Sequence, residues 1–97
     1  MAKVIFINAQ EGKVEERVIV DVLSGTQALV GGYVQQVPFV QNLKRSTLWV
    51  DEEGLCKGLQ YGFMMDGHRF AGNGVVSTLA KSDTKATVEE VRARIQF

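Results

Sequence analysis

Cys56 and His68 are the side chains best suited to nucleophilic chemistry, and each is the only residue of its type. A cysteine nucleophile needs a histidine base beside it and a third group that orients the histidine. The pair must also converge in space, which sequence spacing alone does not show, and one cysteine with one histidine cannot complete a zinc site without carboxylate help. We interpret the chain as a non-enzyme, and an enzyme that uses Cys56 and His68 is the least favoured alternative.

Gly31, Gly32 and Tyr33 form the second candidate group. Amides at paired glycines can cradle an anionic or planar ligand, on which a tyrosine can stack. A phosphate loop, however, places its helix after the glycines and adds a Lys-Ser/Thr pair, and this sequence does neither. We favour the simpler interpretation, in which the glycines end a helix and Tyr33 is a core aromatic residue.

Lys44, Arg45 and Arg69 could add phosphate contacts to such a site. Together with the glycine turn they define the alternative function, a small-ligand protein that sequesters a nucleotide signal. Nucleic acid is a disfavoured partner, because Lys plus Arg and Asp plus Glu each total 11 and cancel. We therefore expect a solvated loop at residues 44–45 and a core position for Trp49.

Acidic residues and glycines form two further clusters. Asp51, Glu52 and Glu53 are adjacent, but the alternating oxygen ligands of a calcium loop are missing. The glycines of residues 71–74 lack the spacing and the following helix of nucleotide-binding motifs. We expect a solvated acidic turn and a tight glycine turn, with no metal and no cofactor.

The elements that would position these residues begin with a hairpin. Residues 3–8 and 14–21 are rich in β-branched side chains and flank a polar turn, which predicts two antiparallel strands. Val14, Val18 and Val20 alternate with charged residues, so we expect them on the apolar face of the second strand.

A short helix and an edge strand follow the hairpin. We expect the helix to begin at an N-cap on Ser24 and to end at Gly31 after about two turns. The next strand should cover residues 33–40. Because Pro38 cannot donate a ladder hydrogen bond, this strand is predicted to lie at a sheet edge.

The middle of the chain predicts a second hairpin, formed by residues 47–50 and 55–59 around the acidic turn. Residues 60–69 mix apolar side chains with glycine breaks, and we expect an irregular or briefly helical loop there. A last strand should follow the glycine turn and run to Leu79.

The C-terminal segment predicts an amphipathic helix. Thr87 and Glu90 have the spacing of a capping box, and Val91 and Ile95 recur on one helical face. Glu90 and Arg94 have the spacing of an i,i+4 ion pair.

These elements predict an α+β fold with a mainly antiparallel sheet of about five to six strands, a short helix after the first hairpin and a C-terminal helix. The 97 residues should form a single domain, with a sheet-rich core at 1–80 and the helix at 84–97. Both helices should cover one face of the sheet.

Four segments carry a likeness to known proteins: residues 30–34 (Val-Gly-Gly-Tyr-Val), 49–54 (Trp-Val-Asp-Glu-Glu-Gly), 57–59 (Lys-Gly-Leu) and 71–76 (Ala-Gly-Asn-Gly-Val-Val). In these the chain resembles an uncharacterised family of small phage and mobile-element proteins, known by a domain-of-unknown-function label. The likeness spans about residues 4–79, which makes the C-terminal helix an addition.

Two positions depart from that family's pattern. Gln35 stands where members often carry a glutamate, and Gly62 stands where many have an asparagine. The resemblance implies a phage-type accessory protein and supplies no particular activity.

We therefore expect a small non-enzymatic accessory protein that binds a protein partner or itself, as a homo-oligomer. An edge strand beside a Met-rich loop offers the surface, and zero net charge leaves little repulsion between copies. The sequence has no signal-peptide pattern and no membrane-length apolar stretch, and its single cysteine excludes an internal disulfide. We expect a soluble cytoplasmic protein, in the host cytoplasm if phage-encoded.

Overall fold

The computed structural model describes residues 1–78 and 82–97 of the chain. Its elements follow one another as β1 (Ala2–Asn8), β2 (Lys13–Ile19), α1 (Val22–Val30), β3 (Val34–Val37), β4 (Thr47–Asp51), β5 (Gly62–Met65), β6 (His68–Ala71), β7 (Gly74–Ser77), α2 (Val88–Ala93) and β8 (Ile95–Gln96). The strands pair antiparallel throughout. The predicted α+β fold is confirmed, although its strands form two sheets and not one.

The larger sheet has five strands in the order β2-β1-β7-β4-β3. The predicted first hairpin is confirmed, since β1 pairs with β2 from Ala2↔Ile19 to Asn8↔Lys13. β7 lies between β1 and β4 and so joins the two ends of the sheet. The smaller sheet has the order β6-β5-β8.

Both faces of the larger sheet are buried. On one face Val4, Phe6 and Val75 pack with α1, and on the other Ile5 and Val76 pack in a core shared with the smaller sheet and α2. The expectation that both helices share one face is therefore wrong. Central strands that are apolar on both sides need cover on both sides, and one helix serves each.

The apolar face that we expected for the second strand is only partly buried. Val14 is buried, but Val18 and Val20 are 65% and 80% exposed. β2 is an edge strand, and among these three valines only Val14 reaches the core shared with the smaller sheet. On the opposite face Ile19 packs in the cluster beneath α1.

Helix α1 begins earlier than expected and ends where expected. Its N-cap is Asp21 and not Ser24, because the Asp21 carboxylate accepts from the amides of Leu23 and Ser24. Gly31 ends the helix in the left-handed region at φ 95°, and its amide donates to the carbonyl of Gln27. The predicted glycine stop before β3 is confirmed.

The middle of the chain differs from the expectation in two ways. Residues 55–59 form turns and no strand, so β4 pairs with β3 and β7 instead. The segment expected to be an irregular loop is the hairpin of β5 and β6. Asp66 and Gly67 make its turn with φ values of 52° and 83°, as a two-residue hairpin turn of this hand requires.

The C-terminal helix is capped as predicted but is shorter. Thr87 accepts from the amide of Glu90, whose carboxylate accepts from the amide of Thr87. The helix ends at Ala93, and Ile95 then pairs with Met65 as part of β8, not of a helix over 84–97. The end of the expected last strand, Leu79, lies outside the described residues.

The expected ion pair within this helix does not form. Arg94 instead pairs with the Asp66 carboxylate and donates to the carbonyls of Gln41 and Asn42. Glu90 pairs with Lys44 at 3.5 Å. Arg94 is the C-cap residue of α2, and its guanidinium contacts the β5–β6 turn and the loop before β4.

Candidate functional site

A groove of about 470 Å³ opens between the edge strand of each sheet. One wall is residues 35–39, in and after β3, and the other is residues 69–71 of β6. The end of β4 and the turn at residues 54–56 close it below. The groove therefore lies where both sheets expose a strand edge.

The free edge of β3 follows from its pairing with β4. The amide of Glu52 donates to the carbonyl of Tyr33 at 2.9 Å, which makes these two residues a hydrogen-bonded pair. Such pairs alternate along an antiparallel ladder, so the backbone groups of Val34 and Gln36 point away from β4. No strand lies beyond β3 in the part of the chain that the structure describes.

Aromatic side chains fill the end of the groove near Pro38. The ring of Phe39 lies edge-on to His68 at 4.6 Å and stacks 6.3 Å from Phe70. Phe70 in turn packs 5.3 Å from the buried ring of Phe63. Phe39 is nevertheless 57% exposed, so an aromatic surface that is anchored in the core faces solvent here.

The opposite end of the groove rests on a buried carboxylate. Asp51 is 6% exposed, and its Oδ1 accepts from the amide of Glu53 at 2.8 Å. Its Oδ2 lies 2.8 Å from the Nζ of Lys57, which also donates to the carbonyl of Gly31 at 3.2 Å. The hydrogen bond that Lys57 donates to the Asp51 carboxylate raises the pKa of Lys57.

This arrangement corrects the expectation of a fully solvated acidic turn. Glu52 and Glu53 are exposed, but Asp51 is the last residue of β4 and faces inward. Within residues 1–78 and 82–97, no three His, Cys, Asp or Glu side chains are grouped as metal ligands would be.

The twin-glycine turn is built into the same contacts. A Cβ atom on Gly32 would lie 2.6 Å from the Nζ of Lys57, and the Gly31 carbonyl accepts from that lysine. Tyr33 is 69% exposed, so its expected core position is wrong. Its backbone pairs with Glu52 while its ring lies at the surface.

The three predicted cationic residues do not share one set of contacts. Arg69 lines the groove, whereas Lys44 pairs with Glu90 of α2. Arg45 is exposed in the loop before β4, with φ at 65°. The prediction of a phosphate site from all three with the glycine turn stays a prediction.

Cys56 and His68 lie on different parts of the site. Cys56 is an exposed free thiol that lines the groove, and the ring of His68 contacts that of Phe39 edge-on. Trp49 is half-buried against the α1 side of the larger sheet, and its indole Nε1 has no partner in the described structure. Catalysis by Cys56 and His68 stays untested.

Sequence reasoning missed the apolar residues that shape the groove, which are Phe39, Leu55 and Phe70. The sequence does contain a signal for the β5–β6 hairpin, whose strand β6 carries Phe70. Asp66-Gly67 is a strong two-residue hairpin motif. Leu55 is 88% exposed because its segment is a turn.

The chain matches a known family model. A model described as "Domain of unknown function (DUF3846)" matches residues 2–96. The chain belongs to this family. No curated protein matches the chain, and no solved structure does.

The DUF3846 match corrects one expectation, since it includes α2 and β8 and the C-terminal segment is no addition. Segments singled out in the sequence also meet in space in this DUF3846 chain. Lys57 bridges Asp51 and Gly31, while a Cβ atom on Gly72 would lie 3.8 Å from that of Asp51. In the described residues no helix has the length and apolar character needed to span a membrane.

Proposed function

We propose that the chain is a small, non-enzymatic binding module of phage or mobile-element type that acts in the cytoplasm of its host. Its site takes an extended segment of a protein along β3 and the adjoining groove. The observation that carries this proposal is the unpaired edge of β3 beside the exposed aromatic ring of Phe39.

Backbone hydrogen bonds would supply most of the binding affinity. An added strand can pair with the outward groups of Val34 and Gln36, as in binding by strand addition. Alternate side chains of that strand would then enter the groove, where Phe39, Leu55 and Phe70 offer apolar contacts. Specificity comes from those contacts, since backbone pairing alone accepts most sequences.

The walls of the groove are held in place before binding. Phe70 stacks between Phe39 and the buried Phe63, and Lys57 ties the end of β4 to the end of α1 through Asp51 and Gly31. A preformed site loses less conformational entropy on binding, which favours affinity.

Two substitutions at one position test the proposal against displayed random peptides. Gln36→Pro removes the outward amide, while Gln36→Ala removes the same side chain and keeps that amide. We expect selected peptides to bind wild type and Gln36→Ala alike, and Gln36→Pro at least about tenfold more weakly. Equal binding by a folded Gln36→Pro protein, checked by circular dichroism, would refute strand addition at β3.

A nucleotide-type ligand is the second candidate. It is favoured by the position of Arg69, which lines the same groove as the rings of Phe39 and Phe70. A guanidinium and aromatic faces together suit a phosphate and a base. Lys44 is committed to Glu90, so Arg69 would be the main anion contact.

A further inference from the structure

We propose that the segment received by β3 is β3 of a second copy of this chain, paired antiparallel about a two-fold axis at Gln36. This inference rests on the proposed function of the β3 edge and names its occupant. Three features of the edge support this pairing. Its backbone register and its exposed aromatic residues are symmetric about Gln36, and the charges at its two ends have opposite signs.

The backbone register allows the pairing. Gln36 is an outward-facing residue of β3, as derived from the bond between Glu52 and Tyr33. Two outward-facing residues placed opposite each other exchange both N–H···O bonds. A two-fold axis at Gln36 therefore forms two hydrogen bonds between the copies and leaves the bonds to β4 intact.

The exposed aromatic residues flank this centre. Tyr33 lies just before β3 and Phe39 just after it, at equal separations from Gln36, and they are 69% and 57% exposed. Antiparallel pairing about Gln36 brings Tyr33 of one copy towards Phe39 of the other, twice in the dimer. Cross-strand aromatic pairs stabilise a sheet, and each ring would lose exposed apolar surface.

The charges at the two ends are complementary. Glu52 pairs with Tyr33 at the start of β3, while Arg69 stands in β6 between His68 and Phe70, the two residues whose rings contact Phe39. Both line the groove, and neither has an ion-pair partner among residues 1–78 and 82–97. The two-fold arrangement places Glu52 of each copy at the Arg69 end of the other.

The short length of β3 and the two-fold symmetry limit the assembly to a weak dimer. β3 has four residues and is followed by Pro38, which offers no amide, so the interface is small and the dimer weak. A two-fold contact closes on itself and does not propagate. The other edge of the larger sheet, β2, exposes Glu16 and Arg17, and charged edges resist pairing.

Sedimentation equilibrium of the full chain from about 10 µM to about 1 mM measures the dimer over the range expected for a small interface. We expect Arg69→Glu and Glu52→Arg each to weaken dimerisation by roughly tenfold, because the dimer contains the pair twice. The double variant should restore it. Gln36→Pro should abolish dimerisation and Gln36→Ala should not, and Arg92→Glu on α2 is the charge control.

A monomer at the highest concentration would overturn the inference, and so would a dimer that tolerates Gln36→Pro and both charge reversals. If the wild-type protein is a monomer but still binds displayed peptides, and Gln36→Pro prevents that binding, the proposed edge-strand function would stand without self-pairing. A wild-type protein that neither dimerises nor binds any displayed peptide would refute both the self-pairing and the proposed edge-strand function. Restoration by the double charge reversal supports the two-fold model specifically, because a simple loss of stability cannot be repaired that way.

Discussion

The Nζ atom of Lys57 lies 2.8 Å from the Oδ2 atom of Asp51, whose side chain is almost wholly buried. The same Nζ donates to the carbonyl of Gly31 at the end of α1. One lysine therefore fastens the helix end, the end of β4 and the turn at residues 52–58 together. Its partner carboxylate forms part of the groove floor, so the contact supports the binding surface as well as the fold.

The first prediction concerns this contact. Asp51→Ala should lower the free energy of unfolding by about 2 kcal/mol, because the amide of Glu53 and the ammonium of Lys57 both lose their acceptor. Lys57→Met should also destabilise the protein, since it leaves the buried Asp51 carboxylate without its cation. Urea denaturation measures both, with Lys85→Met as the exposed control. An Asp51→Ala protein as stable as wild type would show that the carboxylate is not needed.

The second prediction is a dependence of stability on pH at the β5–β6 turn. The hydrogen bond from Arg94 lowers the pKa of Asp66 below its ordinary value. A carboxyl group whose pKa is depressed by folding stabilises the native state above its unfolded pKa of about 3.9 and loses that contribution as the pH falls through the folded value.

Urea titrations of wild type and Asp66→Asn between about pH 2 and about pH 6 test this. We expect the two proteins to differ in stability near the upper limit and to converge at the lower limit. Glu89→Gln, an exposed first-turn residue of α2, is the matched control. A constant difference across the range would contradict the assignment.

The third prediction concerns Gly31. Its φ of 95° is costly for a residue with a Cβ atom, and no described residue beyond its two chain neighbours lies within 4 Å of an added Cβ. Gly31→Ala should therefore destabilise the protein by about 1 kcal/mol through backbone strain alone. Gly31→Asn should cost less, since asparagine tolerates this region. Equal stabilities for all three proteins in urea would contradict the strain argument.

The fourth prediction separates the two candidate functions. A thermal-shift panel of mono-, di- and cyclic nucleotides should leave the melting temperature unchanged if the groove serves protein segments. A nucleotide at a hundred times its Kd would add about 2.7 kcal/mol. Stabilisation that Arg69→Ala removes and Lys44→Ala retains would favour the nucleotide candidate instead.

Local signals in the sequence predicted those parts of the fold that depend on neighbouring residues. The first hairpin, the glycine stop at Gly31 and the capping box of Thr87 and Glu90 each follow from a few adjacent side chains. The Asp66-Gly67 turn was equally local, but the surrounding glycines concealed the alternation of Phe63, Met65 and Phe70.

Other features depend on distant parts of the chain and had no local signal. Asp51 is buried only because Lys57 and the α1 terminus close over it, and its two acidic neighbours suggested solvent. The groove is formed by Phe39 and Phe70, which belong to different sheets. Leu55 to Leu59 has strand-like composition, yet β7 occupies the position beside β4 that this segment would need.

The place of β7 has a consequence for the order of folding. β1 and β2 are joined by a short turn, and β3 and β4 by a modest loop, whereas β7 must arrive from far along the sequence to bridge them. Closing long loops is slow. We expect the two outer pairs to acquire hydrogen-exchange protection early, and the ladder bonds of Val75 and Val76 to complete the cooperative step.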